Sequence, residues 1–322
     1  MTKYCFCISA FNEVSSIKEC IKSAMIACKN FDAQIFVVDN GSNDGTKEEI
    51  EKMKETYDFN FTRFEKNLTL QEARNFLLKN CNSEFAIFMD ADGKVQNDYL
   101  HILDRKINKD FAIYSGPVLE NRKTINLNYE LHYKPLMLSD TNFLIGANFV
   151  VNKSLAIESG GFPNLTHNRG DETPLIIMMK KRGLKHLYIK ELKTTNNFAD
   201  NLSDFYRFAF QEGFNSYTLN LVYSLRNPLL YDLVRSIFIL SILSLALGIF
   251  FASKIIVFFA ISLFLIKIIS RINYWKHVLI NMLSVLSFKR FIYLLSILGF
   301  HLILDFGYWY AKLKRVKPNN KS

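Results

Sequence analysis

The sequence predicts an α/β sandwich with a mainly parallel central sheet, followed by a separate, strongly apolar C-terminal part. Three observations carry that expectation. The first two hundred residues alternate short apolar runs with amphipathic ones, the pattern of strands crossing over through helices. Three of the apolar runs stop in polar, turn-forming clusters, within ISAFNE, VVDNGS and MDADG. Charge is also split unevenly: residues 1–228 carry 28 basic and 28 acidic side chains, whereas residues 229–322 carry 12 and 2.

The elements follow in order. YCFCISA reads as a short buried strand. SSIKECIKSAMIACKN has helical spacing, with Ile17, Ile21, Ala24, Met25 and Cys28 on one face. QIFVVD is a second strand, ended by the turn formers NGSNDG. TKEEIEKMKETY opens with Thr46 and Glu49, the spacing of a capping box. FNFTRFE is a strand, LQEARNFLLKNC a helix and FAIFMD another strand. In open α/β sheets ligands collect beyond the carboxyl ends of the strands. Those ends bring Asn12, Glu13, Asp39, Asp90 and Asp92 to one rim, an acidic edge suited to a metal or to a ligand held through one. No GxGxxG follows the first strand and no GxxxxGK(S/T) occurs, which argues against a dinucleotide fold or a P-loop.

Asp90 and Asp92 pose the sharpest question. Two carboxylates one residue apart repel, and each loses water at the end of a buried strand unless a cation sits nearby. Asp also suits turns, so the pair alone is weak evidence.

The five cysteines are odd in number and lie within the first 81 residues without a CxxC pair, which fits core thiols in a reducing compartment. The six histidines show no HExxH spacing, so zinc is not expected. MTKYCFCISAFNE does not read as a signal peptide, and the N-terminal part is expected in the cytosol. Residues 236–253 are uncharged, and IIVFFAISLFLI and FIYLLSILGFHLIL follow. With basic residues flanking these runs, a membrane domain is expected over 229–322, with spans near 232–253 and 255–270 and a third apolar segment, 279–311, spanning or interfacial. Residues 201–228 read as an amphipathic interface segment. The positive-inside tendency of Arg226, Arg235, Arg271, Lys276, Lys289, Arg290, Lys312, Lys314, Arg315 and Lys317 favours a two-span hairpin with the C-terminus cytosolic. The basic excess lies beside apolar runs rather than on a polar surface, so a nucleic-acid partner is not expected.

The ordered series ISAFNE, VVDNGSNDGT, NLTLQEARN, MDADG, GANFVV, GGFP and RGDETPLIIMMKKRG resembles the family-2 inverting glycosyltransferases of the GT-A fold, over about residues 4–190. The C-terminal apolar helices are similar to those of members that build polysaccharides and lipid-linked glycans. The resemblance implies a catalytic domain over 1–200 that uses a UDP-, GDP- or dTDP-sugar donor with Mg²⁺ or Mn²⁺. It implies that Asp92 coordinates the metal, with Asp90 nearer the ribose and the metal's waters. Asp39 would bond the nucleobase, Ser9, Ala10, Asn12 and Glu13 would line the same pocket, and Arg74 would contact the nucleotide. The family's base comes from an acidic pair, here inverted as Asp171 and Glu172. Alignment through Leu175 and Gly183 puts Glu172 at the base position; Asp171 serves instead if the loop shifts by one residue.

There are departures from the family pattern. Ser9 stands where proline is common, no glycine precedes ARN, and Pro174 follows the acidic pair. None removes a chemical group that the reaction needs. Three functions are carried forward. The first is a membrane-anchored enzyme acting on a membrane-associated glycan or lipid-linked acceptor at the cytosolic face. The second is a polyprenyl-phosphate sugar synthase, and the third a non-catalytic sugar-nucleotide-binding membrane protein. FYRFAFQEGFNS offers Gln211 but no Arg-Trp, so addition of a single sugar is favoured over processive synthesis.

Overall fold

A computed structural model describes residues 1–122, 126, 129–139, 144–164, 170–198, 201–223, 228–251, 254–269, 273, 276 and 287–314. The described chain divides into two compact units. The first takes residues 1–123, 142–164 and 170–197, and the second takes 124–141, 165–169 and 198–322.

The first unit is built on strands β1 (Thr2–Ala10), β2 (Ala33–Asp39), β3 (Asn60–Arg63), β4 (Ser83–Asp90), β6 (Ile113–Ser115), β8 (Phe149–Asn152) and β9 (His186–Tyr188). They form one sheet in the order β3-β2-β1-β4-β8-β6-β9. The four strands from β3 to β4 are mutually parallel, and β8 runs antiparallel to both β4 and β6. A second small sheet joins β5 (Lys94–Val95), β10 (Thr194–Asn196) and β7 (Val118–Glu120).

Successive side chains of a strand point to opposite faces, so a strand buried on both sides feeds two cores. In β1, Tyr4, Phe6 and Ile8 enter a core shared with helices α1 (Ile17–Cys28), α2 (Thr46–Lys54) and α4 (Tyr99–Lys106). Cys5 and Cys7 enter the opposite core, against α3 (Leu70–Asn80), α6 (Lys153–Glu158) and α7 (Glu172–Lys181). All five cysteines are free, and Cys28 alone is partly exposed.

The capping box lies one helix later than the sequence suggested. Thr46 is the first residue of α2 behind Gly45, whose φ is +101°, and its hydroxyl accepts from the Glu13 amide at 2.7 Å. The reciprocal box forms at α3, where the Thr69 hydroxyl accepts from the Glu72 amide and the Glu72 carboxylate accepts from the Thr69 amide. Thr46 is thus diverted to hold the first loop.

The second unit contains a π-helical turn (Tyr129–Tyr133), α5 (Lys134–Ser139), α8 (Leu202–Tyr223), α9 (Pro228–Phe250), α10 (Lys254–Ile269) and α11 (Ser287–Leu313). Helices α8 and α11 touch backbone to backbone. A Cβ on Gly213 would fall 1.8 Å from the Leu304 carbonyl oxygen, and one on Gly307 would fall 2.2 Å from that of Phe210. The two acids of residues 229–322 are both paired: Lys267 binds Asp305 at 3.2 Å, while Lys312 and the Tyr308 hydroxyl bind Asp232.

Among the described residues no helix is long and apolar enough to cross a membrane. Asp232 and Arg235 fall in the first turns of α9, and α10 has 16 residues, a rise of about 24 Å against a hydrocarbon layer of about 30 Å. The spans expected near 232–253 and 255–270 therefore rest on the sequence alone. Ser253, Arg226, Arg271, Arg315, Lys317 and residues 279–286 of the 279–311 segment lie outside the described residues.

Candidate active site

The carboxyl ends of β1, β2 and β4 lie side by side, with Ala10 in register with Asp39 and Ser9 in register with Asp90. The loop after β1 is fastened to the loop after β2. The Asn12 amide donates to the Ser42 hydroxyl at 2.9 Å, and the Asn12 side-chain oxygen accepts from the Asn43 amide at 3.0 Å. Asn12 adopts a φ of +58°, a left-handed conformation that asparagine tolerates better than most residues. Glu13 accepts from the Ser16 hydroxyl at 2.6 Å. Burial pushes its carboxyl above the usual range, the Ser16 bond pulls it back, and the charge of Asp90 adds to the rise.

Asp39 is fully buried. Its carboxylate accepts from the Ser42 amide and from Arg63 Nη1, each at 3.0 Å.

Arg74 sits at the centre of a second cluster. Its Nη1 lies 3.0 Å from both carboxylate oxygens of Asp171 and 3.9 Å from Glu172 Oε2. Its Nη2 donates to Asp90 Oδ1 at 2.9 Å and to the Gly146 carbonyl at 3.1 Å. The guanidinium also faces the rings of Phe88, Phe149 and Phe162, with centroids 5.7–6.0 Å away. Arg74, which the resemblance gives to the nucleotide, is 3% exposed and holds Asp90 and Asp171 in place. It can do so because α3 runs under the sheet and the aromatic rings exclude water from its guanidinium.

Glu172 opens α7 directly after Asp171, and the two carboxylates are treated differently. Asp171 is pinned by Arg74. Burial pushes its carboxyl upward while the guanidinium pulls it back. Glu172 lies across the backbone of Gly146: a Cβ there would come 2.8 Å from Glu172 Oε2 and 3.0 Å from Arg74 Nη1. Only a residue without a side chain admits that approach.

Asp92 differs from Asp90 in having no cation beside it among the described residues. Burial, Asp90 and Glu13 together push its carboxyl up to about 8. Next to the pair stands Asn196 at the end of β10, whose Nδ2 approaches Asp90 Oδ2 at 3.5 Å. Its Oδ1 is buried and has no hydrogen-bond partner among the described residues. A crowded carboxylate pair of which only Asp90 has a cation beside it, with an orphaned amide oxygen next to it, is a set of hard oxygen donors that fits a Mg²⁺- or Mn²⁺-like cation. Sequence reasoning missed Asn196. TTN is a short strand with no motif, and only the pairing of β10 with β5 carries it to the MDADG turn.

The strand ends thus gather Ser9, Ala10, Asn12, Glu13 and Asp39 at one rim, the carboxylates of Asp90 and Asp92 beside them, and Asp171 and Glu172 at 3.0 and 3.9 Å from Arg74 Nη1. Residues 5–187 match the glycosyl transferase family 2. Poly-β-1,6-N-acetyl-D-glucosamine synthases from Staphylococcus epidermidis and Staphylococcus aureus are 27% and 28% identical over 123 residues. That stretch is 37% of this chain and 30% of each relative, so the matched part spans under a third of their length. Among solved structures, the mannosyltransferase PcManGT from Pyrobaculum calidifontis, in complex with GDP-Man and Mn²⁺, has a TM-score of 0.58 at 12% identity. That alignment covers 97% of this chain and 86% of the other. TarS from S. aureus has a TM-score of 0.50 at 14% identity, covering 97% and 92%.

Proposed function

The chain belongs to glycosyl transferase family 2 and is a glycosyltransferase, and from that premise we propose that it transfers a sugar with inversion from a nucleoside-diphosphate donor to a membrane-associated acceptor. The single observation that carries the proposal is the unequal treatment of the two adjacent acids. Arg74 Nη1 holds both oxygens of Asp171 at 3.0 Å, whereas Glu172 Oε2 stands farther off, at 3.9 Å.

In this reading Glu172 is the general base. An acceptor hydroxyl attacks the anomeric carbon, its proton passes to the Glu172 carboxylate, and the bond from that carbon to the diphosphate oxygen breaks. Asp171 and Arg74 position Glu172 and Asp90 and do not exchange protons with substrate. Asp92 and Asp90, with Asn196 beside them, would hold a divalent cation, Mg²⁺ or Mn²⁺. When bound, that cation neutralises the charge growing on the leaving diphosphate. Ser9, Ala10, Asn12, Glu13 and Asp39 form the wall against which the nucleoside lies.

Membrane attachment belongs to the same proposal. Leu243, Ile249, Phe250, Ile255 and Phe258 on and between α9 and α10 are 55–82% exposed, next to a segment whose charge is almost wholly basic. Apolar exposure on that scale suits lipid contact, and the basic flanks suit anionic headgroups at the cytosolic face. The acceptor in this reading is a lipid-linked or growing glycan. A polyprenyl-phosphate acceptor is the second reading, since a phosphate is already ionised and would need no base.

The test is a screen of UDP-, GDP- and dTDP-sugars for divalent-dependent hydrolysis by the purified chain in detergent. Turnover of one donor, abolished by EDTA and restored by Mn²⁺ or Mg²⁺, supports the proposal. Turnover that survives loss of both Asp171 and Glu172 favours the phosphate acceptor. Binding without turnover of any donor favours a non-catalytic role.

A further inference from the structure

Asp39 and Arg63 end neighbouring strands in register, at the pocket wall that the donor reading gives to the nucleoside. Asp39 has no exposed surface, and each of its carboxylate oxygens already accepts a hydrogen bond. Arg63 is different. Its Nη1 is held by Asp39 and its Nη2 donates to the Ser42 carbonyl at 3.1 Å, yet its side chain is 31% exposed. Ser42 in turn binds the Asn12 amide, so the loop that anchors the guanidinium is the loop that shapes the pocket.

We propose that Arg63, rather than Asp39, reads the nucleobase of the donor, and that it selects a base with a carbonyl oxygen at the ring position where cytosine and adenine carry their amino group: uracil, thymine or guanine. The proposal rests on the nucleotide-donor reading above. Asp39 then acts as a positioning residue, aiming a guanidinium that itself faces the ligand.

The chemistry is one-sided. A guanidinium has five N–H donors, no acceptor and a permanent charge, and two of its nitrogens are engaged here. Its outer edge can therefore serve only acceptors. Where uracil and guanine present a carbonyl oxygen, cytosine and adenine present an amino group, which sets donor against donor. Such a mismatch leaves two polar groups unpaired on closing the pocket. The planar fork also matters: a lysine would keep the charge that Asp39 needs but lose the fixed direction of the N–H groups.

The experiment is calorimetric titration of the full chain in detergent, with Mn²⁺ present, against UDP, GDP, CDP and ADP. Wild type is expected to bind UDP or GDP about tenfold or more tightly than CDP and ADP. Arg63→Gln, which can both donate and accept, is expected to collapse that preference to about threefold or less by weakening the carbonyl-bearing nucleotide. CDP and ADP, held through their diphosphates, should change little. If Arg63→Gln fails to fold because it strands the Asp39 charge, the double variant Asp39→Asn/Arg63→Gln removes both charges and is read the same way. An unchanged preference in a folded variant overturns the proposal, as does a wild-type preference for CDP or ADP. Binding of none of the four, nor of dTDP, by wild type overturns the nucleotide-donor reading itself, and this proposal with it.

Discussion

Arg74 Nη1 stands 3.0 Å from both oxygens of Asp171, while Glu172, the next residue, comes no closer than 3.9 Å to the same nitrogen. Asp171 is thereby the nearer partner of a buried cation and Glu172 the farther one. Removing one partner of a buried pair strands the other charge, at a cost of roughly 3–5 kcal/mol. Arg74→Ala is therefore expected to lower the melting temperature sharply, and Asp171→Asn to lower it less. Glu172→Gln, whose carboxylate stands farther from the guanidinium at 3.9 Å, should lower it least. Thermal unfolding of the three variants side by side checks the order, and Glu172→Gln destabilising as much as Arg74→Ala would overturn it.

Gly146 supplies a second prediction. An added methyl group would meet Glu172 Oε2 at 2.8 Å and Arg74 Nη1 at 3.0 Å, so one of them must shift. Overpacking of this kind costs about 1–3 kcal/mol, little enough for the chain to stay folded. Gly146→Ala is expected to keep nucleotide binding and lose most turnover. Wild-type turnover in this variant would show that the placement of Glu172 does not matter.

The cation pair can be tested without measuring transfer. Asp92 is crowded by Asp90 and Glu13 with no positive partner among the described residues, and Asn196 Oδ1 beside the pair is unsatisfied. Mn²⁺ binding read by electron paramagnetic resonance in the presence of UDP or GDP should be strong in wild type. It should be lost in Asp92→Asn and weakened in Asn196→Ala. Equal Mn²⁺ uptake by Asp92→Asn would remove that residue from the site.

How much of this was legible beforehand differs from element to element. The three strand ends could be read because a strand buried on both faces must be apolar throughout, and Asp39 and Asp90 interrupt β2 and β4 where they leave the sheet. The acidic pair at 171–172 could be read from its motif, with Glu172 at the base position, but the contact of Asp171 with Arg74 could not. That contact depends on Arg74 being buried among Phe88, Phe149 and Phe162, residues far apart in the chain. Thr46 looked like a cap because its spacing to Glu49 was right; a contact with the Glu13 amide, 33 positions away, took its hydroxyl instead. Asn196 and Arg63 gave no local signal, since strand pairing alone brings them to Asp90 and Asp39.

The proposed membrane attachment yields a topological prediction. Helices α9 and α10 expose Ile249, Phe250, Ile255 and Phe258, and the acids of their segment are consumed by Lys267 and Lys312. The chain is expected to sediment with membranes and to resist extraction by high salt, because apolar burial persists when charge is screened. A C-terminal reporter should be reached by a label only from the cytosolic side. Labelling from the outside would require a third crossing and overturn the hairpin.

The most direct measurement is donor turnover by Glu172→Gln set against its donor affinity. Gln keeps the shape of Glu and cannot accept the proton, so affinity for the donor should stay within about twofold of wild type. Turnover should fall by about 10²–10⁴-fold, the usual worth of a general base. Asp171→Asn should lose stability more than it loses turnover per folded molecule. If instead Glu172→Gln turns over at the wild-type rate while folded Asp171→Asn shows the large loss, the base is Asp171 and the division of labour drawn from the Arg74 clamp is wrong.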